Sequence, residues 1–174
     1  MNGNVLDHLW NGWRATYVSG SVAAQDGAGS GSIFTQILGC GLADTETNIV
    51  HRGRTCFVIM NAFPYTSGHV MVLPYREIAD LEVLTDDEAV ELWQTVTEAV
   101  AALKRAYRPD GVNVGVNLGQ AAGGSVSGHL HVHVVPRWTG DANFMTTVAN
   151  TRTLPEAIGD SAAKIRAAWV AIDG

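Results

Sequence analysis

The sequence predicts an α+β domain, an antiparallel sheet with two or three helices on one side, and three observations carry that prediction. Segments of period-two alternation recur along the chain, most clearly over Gly128 to Trp138, where His129, His131 and His133 interleave with Leu130, Val132 and Val134. Two other segments, Thr85 to Tyr107 and the stretch opened by Thr153-Leu154-Pro155-Glu156, carry apolar residues at helical spacing instead. Turn signals, Pro64 with Gly68 and then Pro109-Asp110-Gly111, punctuate the strand segments. A chain of 174 residues that is 47% hydrophobic suits one domain with a full core, so 1–174 is read as a single unit.

Over residues 1–18, Leu6, Leu9, Trp10 and Trp13 fall at helical spacing, which makes this a short N-terminal helical extension weakened by Gly12. Its two tryptophans dock on the core or on a partner subunit, the alternative being a stack on a base. Residues 19–32 are Gly, Ser, Ala, Gln and Asp almost throughout, a flexible-loop composition. Ser32 to Leu42 is apolar but short. Strands follow at 48–52, 55–61 and 68–73, the last two joined as a hairpin.

The helix from Thr85 to Tyr107 has the clearest signature. Thr85 and Glu88 make a capping box, Asp86 and Asp87 favour the positive end of the helix dipole, and Lys104, Arg105 and Arg108 favour the other. Leu92, Trp93, Val96, Val100, Leu103 and Tyr107 form its apolar stripe. Val112 to Leu118 alternates as a further strand, and Gly119 to Gly128 is a loop of small residues running into the histidine strand. Within it Gly123-Gly124-Ser125 lets backbone come close to a ligand, so amide N–H groups and the Ser125 hydroxyl can bind phosphate oxygens; such a loop by itself is usually only a hairpin connection. Gly140 to Asn150 reads as a loop. The last helix presents Ile158, Ala162, Ile165, Trp169 and Ile172 to the core or to a dimer partner, with Pro155 suited to its first turn.

A net charge of −6 argues against a nucleic-acid groove, which needs a basic stripe. Cys40 and Cys56 form no Cys-x-x-Cys and no metal spacing. No run of some 18 apolar residues and no basic-then-apolar N-terminus is present, so a soluble cytoplasmic protein is expected, with neither membrane nor nucleic-acid partners. The chemistry is concentrated in the histidine strand. Residues i, i+2 and i+4 of a strand share a face at roughly 7 Å spacing, so three imidazoles can converge on one small anionic group. Zinc ligation is the other use of alternating histidines, although Ser127, Gly128, Pro136 and Arg137 beside them offer no carboxylate to support it.

The pattern His-x-His-x-His-x-x with x apolar, which His129 to Val135 match at every position, resembles the histidine triad (HIT) family. Upstream, Asn61-Ala62-Phe63-Pro64-Tyr65-Thr66-Ser67-Gly68-His69 through Pro74 is similar to a second block of that family, and the likeness spans roughly residues 50 to 140. The details resemble the branch of fragile-histidine-triad dinucleotide hydrolases and bacterial diadenosine tetraphosphate phosphorylases. The resemblance implies a five-stranded antiparallel sheet paired as a homodimer or higher homo-oligomer. It implies a nucleotidyl transferase or hydrolase acting on an adenine dinucleotide polyphosphate through a covalent nucleotidyl-histidine.

His131 takes the place of the nucleophile, with a backbone carbonyl holding its other nitrogen protonated. His129 and His133 flank it as donors to phosphoryl or leaving-group oxygens, His69 supports the triad by hydrogen-bonding one of its members, and Asn61 resembles a ribose-hydroxyl ligand. Asn117 aligns with a side-chain amide that contacts the phosphate chain, where the hydrolases carry glutamine. Gly124 stands where they carry another glutamine. That substitution opens space for inorganic phosphate held by Gly124 and Ser125, making the acceptor phosphate rather than water. Many relatives carry a zinc-binding Cys-x-x-Cys near Cys40, which this chain lacks, so no structural zinc is expected. No cofactor is required, though Mg2+ can accompany a polyphosphate substrate. A purine nucleoside phosphoramidase and a non-catalytic nucleotide-binding protein are the competing readings.

Overall fold

In a computed structural model of the protein, the described residues are 31–122, 126–141 and 156–173. The helix expected over 1–18, residues 19–30 of the loop expected over 19–32, Gly123-Gly124-Ser125 and residues 142–155 lie outside them. The end of that expected loop instead starts a helix. Ser32 is the N-cap of α1 (Ile33–Gly39), its hydroxyl accepting from the Thr35 backbone N–H. A one-turn helix, α2 (Asp44–Thr47), precedes strand β1 (Ile49–Arg52), then β2 (Cys56–Met60) and β3 (Val70–Pro74). The long α3 (Asp86–Tyr107) leads to β4 (Gly111–Val116), β5 (Val132–Arg137) and α4 (Ile158–Asp173).

The five strands form one antiparallel sheet in the order β1-β2-β3-β5-β4. Because β5 inserts between β3 and β4, the histidine-bearing strand sits inside the sheet with a neighbour on each edge. Met71 and Gly115 lie directly across from His133 on the two sides. The ladder starts only at Val132. The strand expected from residue 128 is therefore shorter, and His129 to His131 form an approach outside it, His129 following a turn that its N–H closes on the Val126 carbonyl. That approach is held by the Leu130 N–H donating to the Ile78 carbonyl at 2.6 Å.

Strand alternation divides the core. Val58, Met60, Val70, Val72, Val132 and Val134 point to one face, where they pack with Leu92, Val96, Ala99 and Leu103 of α3 and Ile158, Ala162, Ile165 and Trp169 of α4. The opposite face carries Ile49, Phe57, Ile59, Met71 and Leu73, capped by Phe34 of α1. The capping box on α3 forms as the sequence predicts: the Thr85 hydroxyl accepts from the Glu88 N–H, and the Glu88 carboxylate accepts from the Thr85 N–H. Its stripe differs at one position. Trp93 is 47% exposed, because at about 100° per residue it cannot share the face that buries Leu92, and Ala99 and Ala102 fill the stripe instead. His51, expected to be structural, stacks on Trp169 with ring centroids 4.6 Å apart. Among the described residues no helix is long and apolar enough to cross a membrane.

Candidate active site

The histidines occupy the face of the sheet away from α3 and α4. Parity requires this: Val132 and Val134 fill the helix-side core, so His131 and His133 must point the other way. There the rings of His131 and His133 meet edge to face at 4.9 Å, and the ring of Phe34 lies 5.9 Å from that of His131 and 5.5 Å from that of His129. Beside His133, Gly115 leaves open space, since a Cβ built there would meet nothing within 4 Å. Here the edge strand β4 leaves the sheet face accessible.

The hydrogen bonds fix a tautomer for each ring. Nδ1 of His131 lies 2.8 Å from the His129 carbonyl oxygen, an acceptor only, so Nδ1 carries the proton and the lone pair is on Nε2. No described residue bonds that Nε2. A second chain of bonds starts at the Tyr65 backbone N–H, which donates to Nδ1 of His69 at 3.1 Å. His69 must therefore carry its proton on Nε2 and donate it to Nδ1 of His133, 3.0 Å away. His133 is left with an Nε2–H directed to no described residue. The supporting contact expected of His69 is thus made to His133. Burial, with the neighbouring His131 second, pushes the His133 imidazole down to about 4, so it is a neutral donor at pH 7.

His129 differs from the expectation for it. Its Nε2–H donates to the Pro74 carbonyl at 2.9 Å, and its Nδ1 accepts from the Ser32 hydroxyl at 2.6 Å. With both nitrogens occupied by protein, neither is left to donate to a phosphoryl oxygen. The ring is 1% exposed, and burial lowers its pKa from the ordinary value. His129 contributes to the site through its backbone carbonyl. Among the described residues no three His, Cys, Asp or Glu side chains are grouped to share a metal ion; the imidazoles bond one another and backbone groups.

The remaining predicted positions divide. Asn61 closes a turn, its carbonyl oxygen accepting from the Phe63 N–H at 2.8 Å while its amide lies 3.4 Å from both nitrogens of His69. Asn117 is half-buried, one residue beyond the Val116–Val132 pair that ends the β4–β5 ladder. Gly124 and Ser125 lie outside the described residues. Sequence reasoning missed Ser32, Tyr65 and Pro74. Tyr65 supplies both its backbone N–H and a ring 4.6 Å from that of His69. Pro74 and Ser32 act from segments 55 and 97 residues away from His129. No local pattern reports contacts of that separation.

Comparison with known proteins matches this architecture. The HIT domain family model matches residues 43–140. Over 167 residues, 94% of this chain and 85% of the relative, the sequence is 41% identical to a protein of Mycobacterium tuberculosis (strain H37Rv) named AP-4-A phosphorylase. It is 31% identical over 92 residues, 53% of this chain and 61% of the relative, to a bis(5'-adenosyl)-triphosphatase of Dictyostelium discoideum. Among solved structures, a zinc-bound histidine triad family protein from Mycobacterium smegmatis superposes with a TM-score of 0.66 at 26% identity, covering 81% of this chain and 94% of that one.

Proposed function

We propose that this chain, which belongs to the HIT domain family, is an enzyme of nucleotidyl transfer that cleaves dinucleoside polyphosphates such as diadenosine tetraphosphate, with inorganic phosphate as the acceptor. The observation that carries the reading is the 2.8 Å bond from Nδ1–H of His131 to the His129 carbonyl, which leaves a lone pair on Nε2 with no described partner. In the first step that lone pair forms a bond to the α-phosphorus. The bond from phosphorus to the bridging oxygen breaks, and ATP leaves with that electron pair. Nε2–H of His133 lies beside the attacked centre and donates to a phosphoryl or bridging oxygen as negative charge builds. The positive charge on the nucleotidylated imidazole is shared with the His129 carbonyl through the Nδ1–H bond. In the second step an oxygen of inorganic phosphate attacks the same phosphorus, the N–P bond breaks, and ADP is released.

Phosphate rather than water as acceptor is supported by the 41% identical relative named as a phosphorylase and by glycine at position 124, where a small residue leaves room for a second anion. Asn117 and Ser125 are assigned to the phosphates and Asn61 to the ribose. The chain's own residues perform both steps, so Mg2+ enters only as a counterion of the polyphosphate. A homodimer is part of the same reading: β4 is an edge strand that exposes Val114, a face suited to a second copy. A cytoplasmic location is part of the same reading.

The test is incubation with diadenosine tetraphosphate, with and without inorganic phosphate, followed by ion-exchange separation of the nucleotides. ADP plus ATP formed only with phosphate is the expected result. AMP plus ATP irrespective of phosphate would make the acceptor water. Turnover of adenosine phosphoramidate alone would replace the substrate class, and no turnover of any of these would leave a nucleotide-binding protein.

A further inference from the structure

The approach segment His129 to His131 lies outside the sheet ladder, yet the His129 carbonyl must be held still for it to fix the proton on His131. What holds it reaches in from the start of the described chain. Ser32 donates its hydroxyl proton to Nδ1 of His129 at 2.6 Å, and its own backbone N–H donates to Oε2 of Glu77 at 2.8 Å. The Thr35 hydroxyl donates to the same Oε2 at 2.7 Å. The proton inventory closes only one way: Nε2 of His129 gives its proton to the Pro74 carbonyl, Thr35 gives its proton to Glu77, and the single Ser32 proton goes to His129. Gly31 is part of the construction. It has φ +117°, and a Cβ there would come within 2.9 Å of the Glu77 carboxylate, so the backbone approaches that group as only glycine allows. These hydrogen bonds and the neighbouring His129 also hold the Glu77 carboxyl below its ordinary pKa.

We infer that Ser32, anchored by Glu77, is a positioning residue for the nucleophile. It clamps the His129 ring between two protein partners, and through that ring holds the carbonyl that sets the tautomer and aim of His131. Its consequence for catalysis rests on the function proposed above; its consequence for the His131 proton does not.

The variant to test is Ser32→Gly, since glycine is well tolerated as an N-cap while removing the hydroxyl. In the full-length protein without substrate, the expected result is a downfield move of the His129 Nδ1 nitrogen resonance, as an imidazole nitrogen shows on losing a donor. The His131 Nδ1–H proton signal should weaken or broaden with it. In turnover, kcat falls roughly tenfold with KM within about twofold, the signature of lost positioning rather than lost binding. Ser32→Thr, which restores a hydroxyl, recovers both the spectrum and kcat, and Glu77→Ala gives a smaller loss of the same kind. Unmoved His129 and His131 resonances in Ser32→Gly would overturn the inference. So would an unchanged kcat, or a loss that threonine does not restore. If the unaltered protein turns over none of the nucleotides, the functional proposal fails, while the spectra still decide the clamp.

Discussion

The two faces of the sheet are built from the same strands and differ in what they can spare. On the helix side the inward positions are mostly aliphatic, and α3 and α4 cover the centre of the sheet: Val58, Val70, Val72, Val132, Val134, Leu92 and Leu103 are all without measurable exposure, while Val114 on the edge strand is not covered. On the other side one short helix, α1, covers only part of the sheet through Phe34, and the rest is given to imidazoles. Stability comes from the first face through area removed from water. Chemistry is possible on the second because hydrogen bonds, not burial alone, hold its side chains, so that nitrogens can remain available. The comparison shows how a period-two strand serves both purposes at once, Val132 and Val134 anchoring what His131 and His133 present.

Substitutions on the two faces should therefore separate function from stability. The largest effect is expected from His131→Ala, which removes the attacking nitrogen: nucleotidyl transfer should fall at least about 10⁴-fold, with the midpoint of chemical denaturation little changed. A loss of less than tenfold would remove His131 as nucleophile. Leu103→Ala on the opposite face should do the reverse, costing about 3 kcal/mol of unfolding free energy by denaturant titration while leaving turnover per folded molecule intact.

Acid tests the boundary between the faces. His133 sits at about 4 against an ordinary 6.5, and His129 is shifted the same way, both first of all by burial. The unfolded chain therefore binds these protons more readily. Unfolding free energy should fall as the pH drops from about 6.5 towards 4, by on the order of 2 kcal/mol, with no contribution to the slope above that window. The dependence should shrink in His133→Gln. The smallest effect is expected from Thr85→Ala, which removes half of the α3 capping box far from the histidines. It should cost about 1 kcal/mol, with kcat unchanged.

Most of the elements were legible because they rest on local rules. Thr85 and Glu88 announce the start of α3, and the alternation around Val132 and Val134 announces β5 and the parity of its histidines. Where local reasoning failed, a neighbour distant in sequence decided. His129 looked like a third donor to substrate, since its place in the alternation matches those of His131 and His133, but the Pro74 carbonyl and the Ser32 hydroxyl occupy both of its ring nitrogens.

What the sequence by itself determined was the inventory and its phase: which residues are strand, which are helix, and that three imidazoles alternate with aliphatic residues. Those follow from backbone periodicity and side-chain chemistry, which act over a few residues. Only the tertiary structure decided how the imidazoles divide their labour. Insertion of β5 between β3 and β4 brings His69 against His133, the Pro74 carbonyl against one nitrogen of His129, and Ser32 against the other. A histidine's tautomer is set by its hydrogen-bond partners, and these come from segments that only folding brings together.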